Sequence, residues 1–290
     1  MLITLTEALA HAERHDIAIA AVNTPFFEAL LGAIDVCEVT GTPMILQFAQ
    51  VHEGIVGIEE IGPAMVELAR RSSAPFVLHV DHGEDLEYIR KGLEIGFTSC
   101  MIDGSHLPYE QNVALTAQTV ALAREVGGIG VEAELGVMTG NENGDPSQGI
   151  ADAALYTDPE QARDFVARTG VDALACSFGT VHGLYRRQPE LDHALISRLR
   201  EATGVPIVMH GGSGLSPEDY RRSIAAGVRK INYYTYAARA AYDAVVPLVE
   251  DENVFLFSNL ARAARCAVRE DLSSFTRILA GDADAKKGRV

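Results

Sequence analysis

The sequence has few cysteines and lacks any long apolar run. Its four cysteines, Cys37, Cys100, Cys176 and Cys266, lie far apart in 290 residues and form no C-x-x-C pair. At this chain length, such spacing predicts buried free thiols rather than a disulfide framework. No apolar run approaches the roughly 18 residues that a transmembrane helix needs. We therefore expect no membrane partner.

Positive charge is also scarce. The chain has 24 Lys and Arg against 40 Asp and Glu, which gives a formal net charge of −16. This charge argues against non-specific binding to the phosphates of nucleic acid. It leaves room for a phosphorylated substrate, because one local site can bind an anion within an acidic protein. The first 13 residues show no basic segment followed by an apolar block, so we expect no secretory signal and a cytoplasmic location.

The composition is that of a packed globular protein, with 48% hydrophobic and 22% charged residues. A length of 290 residues suits two average domains of ~150 residues, but α/β barrels of ~250 residues form one domain. The sequence contains no linker, repeat or low-complexity segment. A single domain over residues 1–290 is the prediction.

Eight short apolar segments alternate with longer amphipathic ones along the chain. The predicted strands are Ile17–Asn23, Pro43–Phe48, Pro75–Val80, Ser99–Asp103, Gly130–Glu134, Ala173–Phe178, Val205–His210 and Val228–Asn232. Such alternation implies parallel strands joined by right-handed crossovers, and eight units fit a (β/α)8 TIM barrel better than an open sheet. We expect an amino-terminal helix at about 5–15, the barrel at about 17–250, and one or two carboxyl-terminal helices at about 253–280.

Histidines and carboxylates follow these predicted strands. His82, His182 and His210 come from three different strands, and each stands beside a glycine. The carboxylates at strand ends are Asp81, Asp103 and the pair Glu132 and Glu134. In a barrel all these ends meet at one face, where active sites are built. Imidazole favours Zn, Co, Fe or Ni, and three protein ligands leave a position open for substrate.

The remaining histidines lack this context. We expect structural or surface roles for His11, His15, His52, His106 and His193, and an inward-packing or supporting role for His79.

Two glycine-rich or polar segments predict a phosphate site. Gly211-Gly212-Ser213-Gly214 follows the seventh strand, and Asn232–Thr235 follows the eighth. Backbone N–H groups after strands seven and eight form a recurring phosphate site in barrels. A metal and a phosphate at one barrel face indicate Lewis-acid chemistry on a phosphorylated carbonyl compound.

These segments resemble the class II, metal-dependent fructose-bisphosphate/tagatose-bisphosphate aldolase family. The matching segments are His79–Gly83, Gly96–Ser105, Val131–Gly136, Tyr156–Pro159, Phe178–Tyr185, Val208–Gly214 and Lys230–Thr235. They occur in the family's order and span about residues 17–240.

The resemblance implies a role for each matching position. His82, His182 and His210 match the three ligands of the catalytic zinc. Glu134 and Asp103 match carboxylates that can join a second or alternate metal position. Asp81 matches the acid/base at the bond made or broken, and Glu142, in a lid-like loop at 138–151, matches the carboxylate that moves a proton on the donor carbon. The implied phosphate and substrate contacts are Gly183, Gly211, Gly212, Ser213, Asn232 and Thr235, and backbone carbonyls near Val181–Gly183 and Gly211 can hold Na⁺ or K⁺.

The implied reaction is the reversible cleavage of a ketose (bis)phosphate to dihydroxyacetone phosphate and an aldehyde, through an enediolate that zinc stabilises. The substrate is then fructose 1,6-bisphosphate, tagatose 1,6-bisphosphate or a related ketose phosphate. This chemistry needs no Schiff-base lysine, although Lys230 on the eighth strand keeps the other aldolase class as a formal alternative. The resemblance also implies a homodimer or homotetramer.

Three positions depart from the family pattern. Ala49 stands where a serine is frequent, Tyr234 where the family has Asp, Asn or a small residue, and Thr139 where a glycine is usual. The acceptor end of the site is therefore altered, and Asn23, Ala49 and Tyr234 are the specificity candidates. Three alternatives remain open on the sequence: a metal-dependent barrel hydrolase, a non-catalytic sugar-phosphate-binding protein, and a structural protein.

Overall fold

The computed structural model describes residues 1–136, 155–185 and 189–281. Its eight strands are all parallel and close into one barrel in sequence order, with β1 paired to both β2 and β8. The strands are β1 (Ile19–Asn23), β2 (Met44–Ala49), β3 (Phe76–Gly83), β4 (Ser99–Ile102), β5 (Gly130–Leu135), β6 (Ala173–Cys176), β7 (Ile207–Met209) and β8 (Val228–Tyr233). The predicted (β/α)8 TIM barrel is confirmed.

Helices cover the outside of the barrel and its amino-terminal end. They are α1 (Leu5–His15), α2 (Phe27–Thr40), α3 (Ile58–Arg71), α4 (Leu86–Ile95), α5 (Tyr109–Val126), α6 (Pro159–Thr169), α7 (His193–Thr203), α8 (Pro217–Ala226), α9 (Thr235–Val249) and α10 (Phe257–Leu279), with a 3-10 helix at Gln50–Gly54. The carboxyl-terminal segment forms one helix, α10, where one or two were expected. No helix in the described ranges has the length and apolar character of a membrane span.

Local sequence signals fix where several helices begin. Asp158 caps α6 through the backbone N–H of Gln161, with Pro159 in the first turn. Ser216 and Asp219 form a reciprocal capping box at the start of α8, again with a proline in the first turn. Each cap satisfies backbone N–H groups that the first helical turn leaves without partners. A capping residue followed by proline is visible in the sequence, so the starts of α6 and α8 are the easiest helix starts to predict.

The barrel interior changes character along its axis. At the amino-terminal end, α1 packs Leu5 and Leu9 against small or branched inward residues such as Ala21 and Val77. Two residues further along β3 comes His79, and two further Asp81; both are fully buried. Because side chains on one face of a strand recur every second residue, the strands carry an apolar layer below and polar layers above. The polar layers define the site.

Candidate active site

The three histidines predicted to bind metal come together at the carboxyl end of the barrel. His82 lies on β3, His182 after β6 and His210 directly after β7. Their ring centroids are 4.7 Å apart for His82 and His210, 5.3 Å for His82 and His182, and 5.8 Å for His182 and His210. One nitrogen from each ring lies within 4.8 Å of the others. Three imidazoles at this spacing can share one cation.

A backbone irregularity in β3 brings two adjacent residues into the site. The pairing of β3 with β4 shifts register between Val80 and Gly83, and His82 has a φ of 45°. A positive φ is uncommon outside glycine, and a bulge of this kind re-aims a side chain. In a regular strand Asp81 and His82 would face opposite sides of the sheet. The bulge instead allows both side chains to point toward the same site.

Carboxylates orient two of the three imidazoles. The Nδ1 of His82 lies 2.7 Å from Asp103 Oδ2, and the Nε2 of His210 lies 2.8 Å from Glu132 Oε1. A histidine that donates one ring N–H to a carboxylate presents the lone pair of its other nitrogen to a metal. Nε2 of His82 and Nδ1 of His210 are therefore the nitrogens that would hold a metal. The donor set fits a divalent transition ion.

A second group of ligand atoms adjoins the first. His82, Asp103 and Glu134 also bring one ligand atom each within 4.8 Å, and Glu134 Oε2 lies 3.2 Å from His210 Nδ1. Burial, and then the neighbouring Asp103 carboxylate, raise the pKa of Glu134. A cation held between these groups would remove that penalty, because opposite charge favours the ionised carboxylate. The placement of Asp103 and Glu134 thus suits the second or alternate position predicted for them.

The charge states of the histidines follow from their neighbours. Burial, and then His82 and His210, hold the pKa of His182 well below its usual value, so His182 is neutral. Burial also disfavours the charged form of His210, but hydrogen bonds with Glu132 and Glu134 outweigh it and raise its pKa to about 9. A position beside His210 and Glu134 that holds a proton is one that a metal cation can take over.

Asp81 lies beside the histidines, fully buried and held by three amides. Its Oδ2 accepts hydrogen bonds from Asn23 Nδ2 and Gln47 Nε2, both at 2.9 Å, and its Oδ1 accepts one from Asn232 Nδ2 at 3.3 Å. Burial would raise the pKa of Asp81, but His82 and then Lys230 outweigh it and keep the pKa below its usual range. The carboxylate is therefore ionised and ready to accept a proton.

A buried ion pair, to which the sequence pattern assigns no role, supports this centre from below. Lys230 Nζ lies 2.8 Å from Glu132 Oε2 and donates to Asn232 Oδ1 at 2.8 Å, while the other oxygen of Glu132 faces His210. Burial would raise the pKa of Glu132, but Lys230 and then His210 lower it to about 2. The amine of Lys230 is thus held as an ion-pair partner, not presented as a Schiff-base nucleophile. The sequence signal that could have revealed this pair was a charged residue within an otherwise apolar strand, Glu132 in β5 and Lys230 in β8.

Replacing Lys230 with methionine should destabilise the protein by about 3–5 kcal/mol, because the Glu132 carboxylate would be left buried without its cation. Urea unfolding at pH 7 measures the loss. The matched control is Arg168→Met, which breaks the exposed ion pair with Glu110 and should cost little. Equal and small losses in both variants would show that the buried pair does not stabilise the fold.

The loops after β6, β7 and β8 enclose a small recess beside the histidines. It is lined by His182, Gly183, Gly211, Ser213, Asn232, Tyr233, Tyr234 and Thr235. Gly211 has a φ of 63°, and a Cβ there would collide with the backbone carbonyl of Val181, so glycine is required. Five of the six predicted phosphate contacts line this recess. The sixth, Gly212, is not among the lining residues, and its carbonyl accepts a hydrogen bond from the Tyr220 hydroxyl.

Two of the specificity candidates, Asn23 and Ala49, lie beside Asp81, and the third, Tyr234, lines the recess. Ala49 ends β2, fully buried and in register with Asp81, and Asn23 donates to that carboxylate. Tyr234 packs its ring on His52, with centroids 4.7 Å apart. His52 was expected in a structural or surface role, and the structure buries it completely, so a surface position is wrong. Glu142 and Thr139 lie outside the described residues, and the role of Glu142 stays a prediction.

Comparison with known proteins agrees with this geometry. Residues 3–283 match the family model for class II fructose-bisphosphate aldolase. The D-tagatose-1,6-bisphosphate aldolase subunit GatY of Klebsiella oxytoca is 38% identical over 251 residues, 86% of this chain and 87% of that protein. The uncharacterised protein YdjI of Escherichia coli K12 is 36% identical over 273 residues, 93% and 94% of the two chains. The crystal structure of the YdjI aldolase superposes with a TM-score of 0.86 at 34% identity, covering 99% of this chain and 100% of that one. The chain therefore belongs to the class II fructose-bisphosphate aldolase family.

Proposed function

We propose that this aldolase depends on zinc and reversibly cleaves a ketose phosphate to dihydroxyacetone phosphate and an aldehyde. The observation that carries the proposal is the bulge in β3, which places an ionised Asp81 directly beside His82 of the histidine triad. A base and a metal ligand that are adjacent in the chain can act on neighbouring atoms of one substrate. That is the arrangement an aldol cleavage requires.

His82, His182 and His210 would hold the metal. Three nitrogen ligands and one position for substrate are typical of catalytic zinc. When bound, the metal supplies Lewis-acid chemistry: it polarises the substrate carbonyl and stabilises negative charge that develops on its oxygen. Asp103 and Glu132 hold two of the imidazoles in the tautomer that this binding needs.

Asp81 moves the proton at the bond that breaks. In cleavage, its ionised carboxylate takes the proton of the hydroxyl group next to that bond, and in synthesis it returns the proton. The amides of Asn23, Gln47 and Asn232 fix the carboxylate and, by donating hydrogen bonds to it, favour its ionised form. The proton on the donor carbon is assigned to Glu142, on the family resemblance alone.

The recess at β6–β8 suits the phosphate of the donor. Ser213, Asn232 and the glycines that line it offer hydroxyl, amide and backbone N–H donors. The family is named for fructose bisphosphate, and GatY for tagatose 1,6-bisphosphate. Aldol cleavage of either sugar releases the same donor, dihydroxyacetone phosphate. The donor half of the substrate is therefore the better supported half of the proposal.

Proton exchange on dihydroxyacetone phosphate in heavy water tests the donor half-reaction without any aldehyde. NMR should show deuterium entering at the carbon next to the carbonyl, with exchange lost on chelation and restored by zinc. Glu142→Gln should abolish exchange while retaining metal, whereas Glu125→Gln on the exposed face of α5 should change nothing. A fully metallated enzyme without exchange would contradict the proposal and favour the hydrolase or binding-protein alternatives.

A further inference from the structure

His52 is a buried polar side chain that the proposed mechanism does not use. It lies in the 3-10 helix after β2 and is 0% exposed. Neither of its ring nitrogens has a hydrogen-bond partner among the described residues. Its ring contacts Tyr234 at 4.7 Å and Phe48 at 6.3 Å between centroids. Buried nitrogens without partners are costly, and where they persist in a native fold they call for an explanation, of which a role in binding a ligand is one.

The position of His52 relates it to the reacting centre. It follows Ala49, which pairs in register with Asp81. Burial lowers the pKa of His52 to about 4 and outweighs the nearby Asp81 carboxylate, which raises it, so the imidazole is neutral. A neutral imidazole has one N–H donor and one lone-pair acceptor. It suits a hydroxyl group, which both donates and accepts.

The strand order shows which part of a substrate would reach it. The phosphate recess is formed after β6, β7 and β8, and the proposed acid/base lies on β3. A substrate that runs from the recess past the histidines to Asp81 continues toward the ends of β1 and β2, which lie between β8 and β3 in the closed barrel. Asn23, Ala49 and His52 lie at or just after these ends, and Tyr234 follows β8 with its ring against His52. None of the four carries a positive charge.

We propose that His52 and Tyr234 form an uncharged subsite that hydrogen-bonds a hydroxyl group on the aldehyde half of the substrate, so that the enzyme prefers a ketose 1-phosphate to a 1,6-bisphosphate. The inference rests on the proposed aldolase function and adds the class of acceptor. Tyr234 is only partly buried and its ring packs on His52, so substrate would reach the imidazole by displacing that ring. A terminal phosphate would meet no cation in this pair, and Asp81 would repel it.

Condensation assays distinguish the two acceptor classes. Dihydroxyacetone phosphate is offered with each enantiomer of glyceraldehyde and of glyceraldehyde 3-phosphate. The best unphosphorylated aldehyde should have a kcat/KM at least about tenfold above that of the best phosphorylated one, since a phosphate there lacks compensating partners. Preference for the phosphorylated aldehyde overturns the inference. So does proton exchange on the donor without condensation with any of the four.

Two substitutions at His52 separate hydrogen bonding from packing. His52→Phe keeps the ring against Tyr234 and removes both nitrogens, whereas His52→Gln keeps a donor and an acceptor and removes the ring. We expect His52→Phe to lower kcat/KM for glyceraldehyde about 10- to 100-fold, mainly through KM, with His52→Gln closer to wild type. The reverse order would mean that His52 acts by packing. The control is His15→Phe, which makes the same chemical change at an exposed position of α1, at the opposite end of the barrel. It should leave condensation unchanged.

Donor exchange keeps the two proposals apart. It requires no aldehyde, so His52→Phe should reduce condensation far more than exchange. Equal loss of both would place His52 in support of the metal or of Asp81 and would overturn its role in acceptor binding. Absence of exchange in the wild-type enzyme would be a failure of the proposed function itself. Tyr234→Phe, which removes only the phenol hydroxyl, provides a second variant if His52→Phe does not fold.

Discussion

Alanine in place of His82, His182 or His210 should abolish metal binding and reduce aldol cleavage on the order of 10⁴-fold. Each change removes one of three nitrogen ligands, and with it several kcal/mol of charge stabilisation in the transition state. Metal content by elemental analysis and cleavage rates at saturating zinc measure the two effects separately. The ring centroids lie within 5.8 Å of one another, so loss of any one ring should disrupt the same metal site.

The matched control is His106→Ala. His106 is exposed and follows β4 at the same end of the barrel, so the substitution makes the same chemical change near the site without touching the triad. It should retain both metal and activity. Full metal content in all three triad variants would disprove the assignment of these histidines as ligands. Loss of activity with metal retained would instead give them a role in holding substrate.

The sequence predicts the barrel well because its signals are local and repeated. Short apolar segments alternate with longer amphipathic ones eight times, and caps such as Asp158 and Ser216 mark helix starts. The end of β3 is harder to predict from such patterns. Asp81, His82 and Gly83 look like the start of a loop, so the strand is predicted to end at Val80. In the structure it continues to Gly83 through a bulge, which depends on pairing with β4.

The burial of two further groups could not be predicted from the sequence, for the same reason. Glu132 and Lys230 are 98 positions apart, and their ion pair exists only because the closed barrel directs both side chains into its interior from β5 and β8. His52 stands in a polar segment after β2, where a lone histidine is more often structural. Only the 3-10 helix and its contact with Tyr234 show it to be buried beside the reacting centre. Such long-range contacts leave no local periodic trace.

Asp81→Ala should leave the metal in place and slow aldol cleavage about 10²- to 10⁴-fold, the range for removal of a positioned general base. Donor exchange should be much less affected, because that proton is assigned to Glu142. The two carboxylates then show different defects: Asp81→Ala exchanges but cleaves slowly, and Glu142→Gln loses both reactions. Single-turnover cleavage, exchange by NMR and metal content measured on one preparation distinguish these outcomes.

The control for Asp81 is Gln47→Met. It removes one of the three amides that hold the carboxylate and leaves the carboxylate itself with Asn23 and Asn232. A single hydrogen bond contributes about 1 kcal/mol, so cleavage should fall by no more than about tenfold. If Gln47→Met and Asp81→Ala were equally slow, the amide network would matter and proton transfer would not. A large gap between them assigns the proton to Asp81, because only that change removes the group that can accept it.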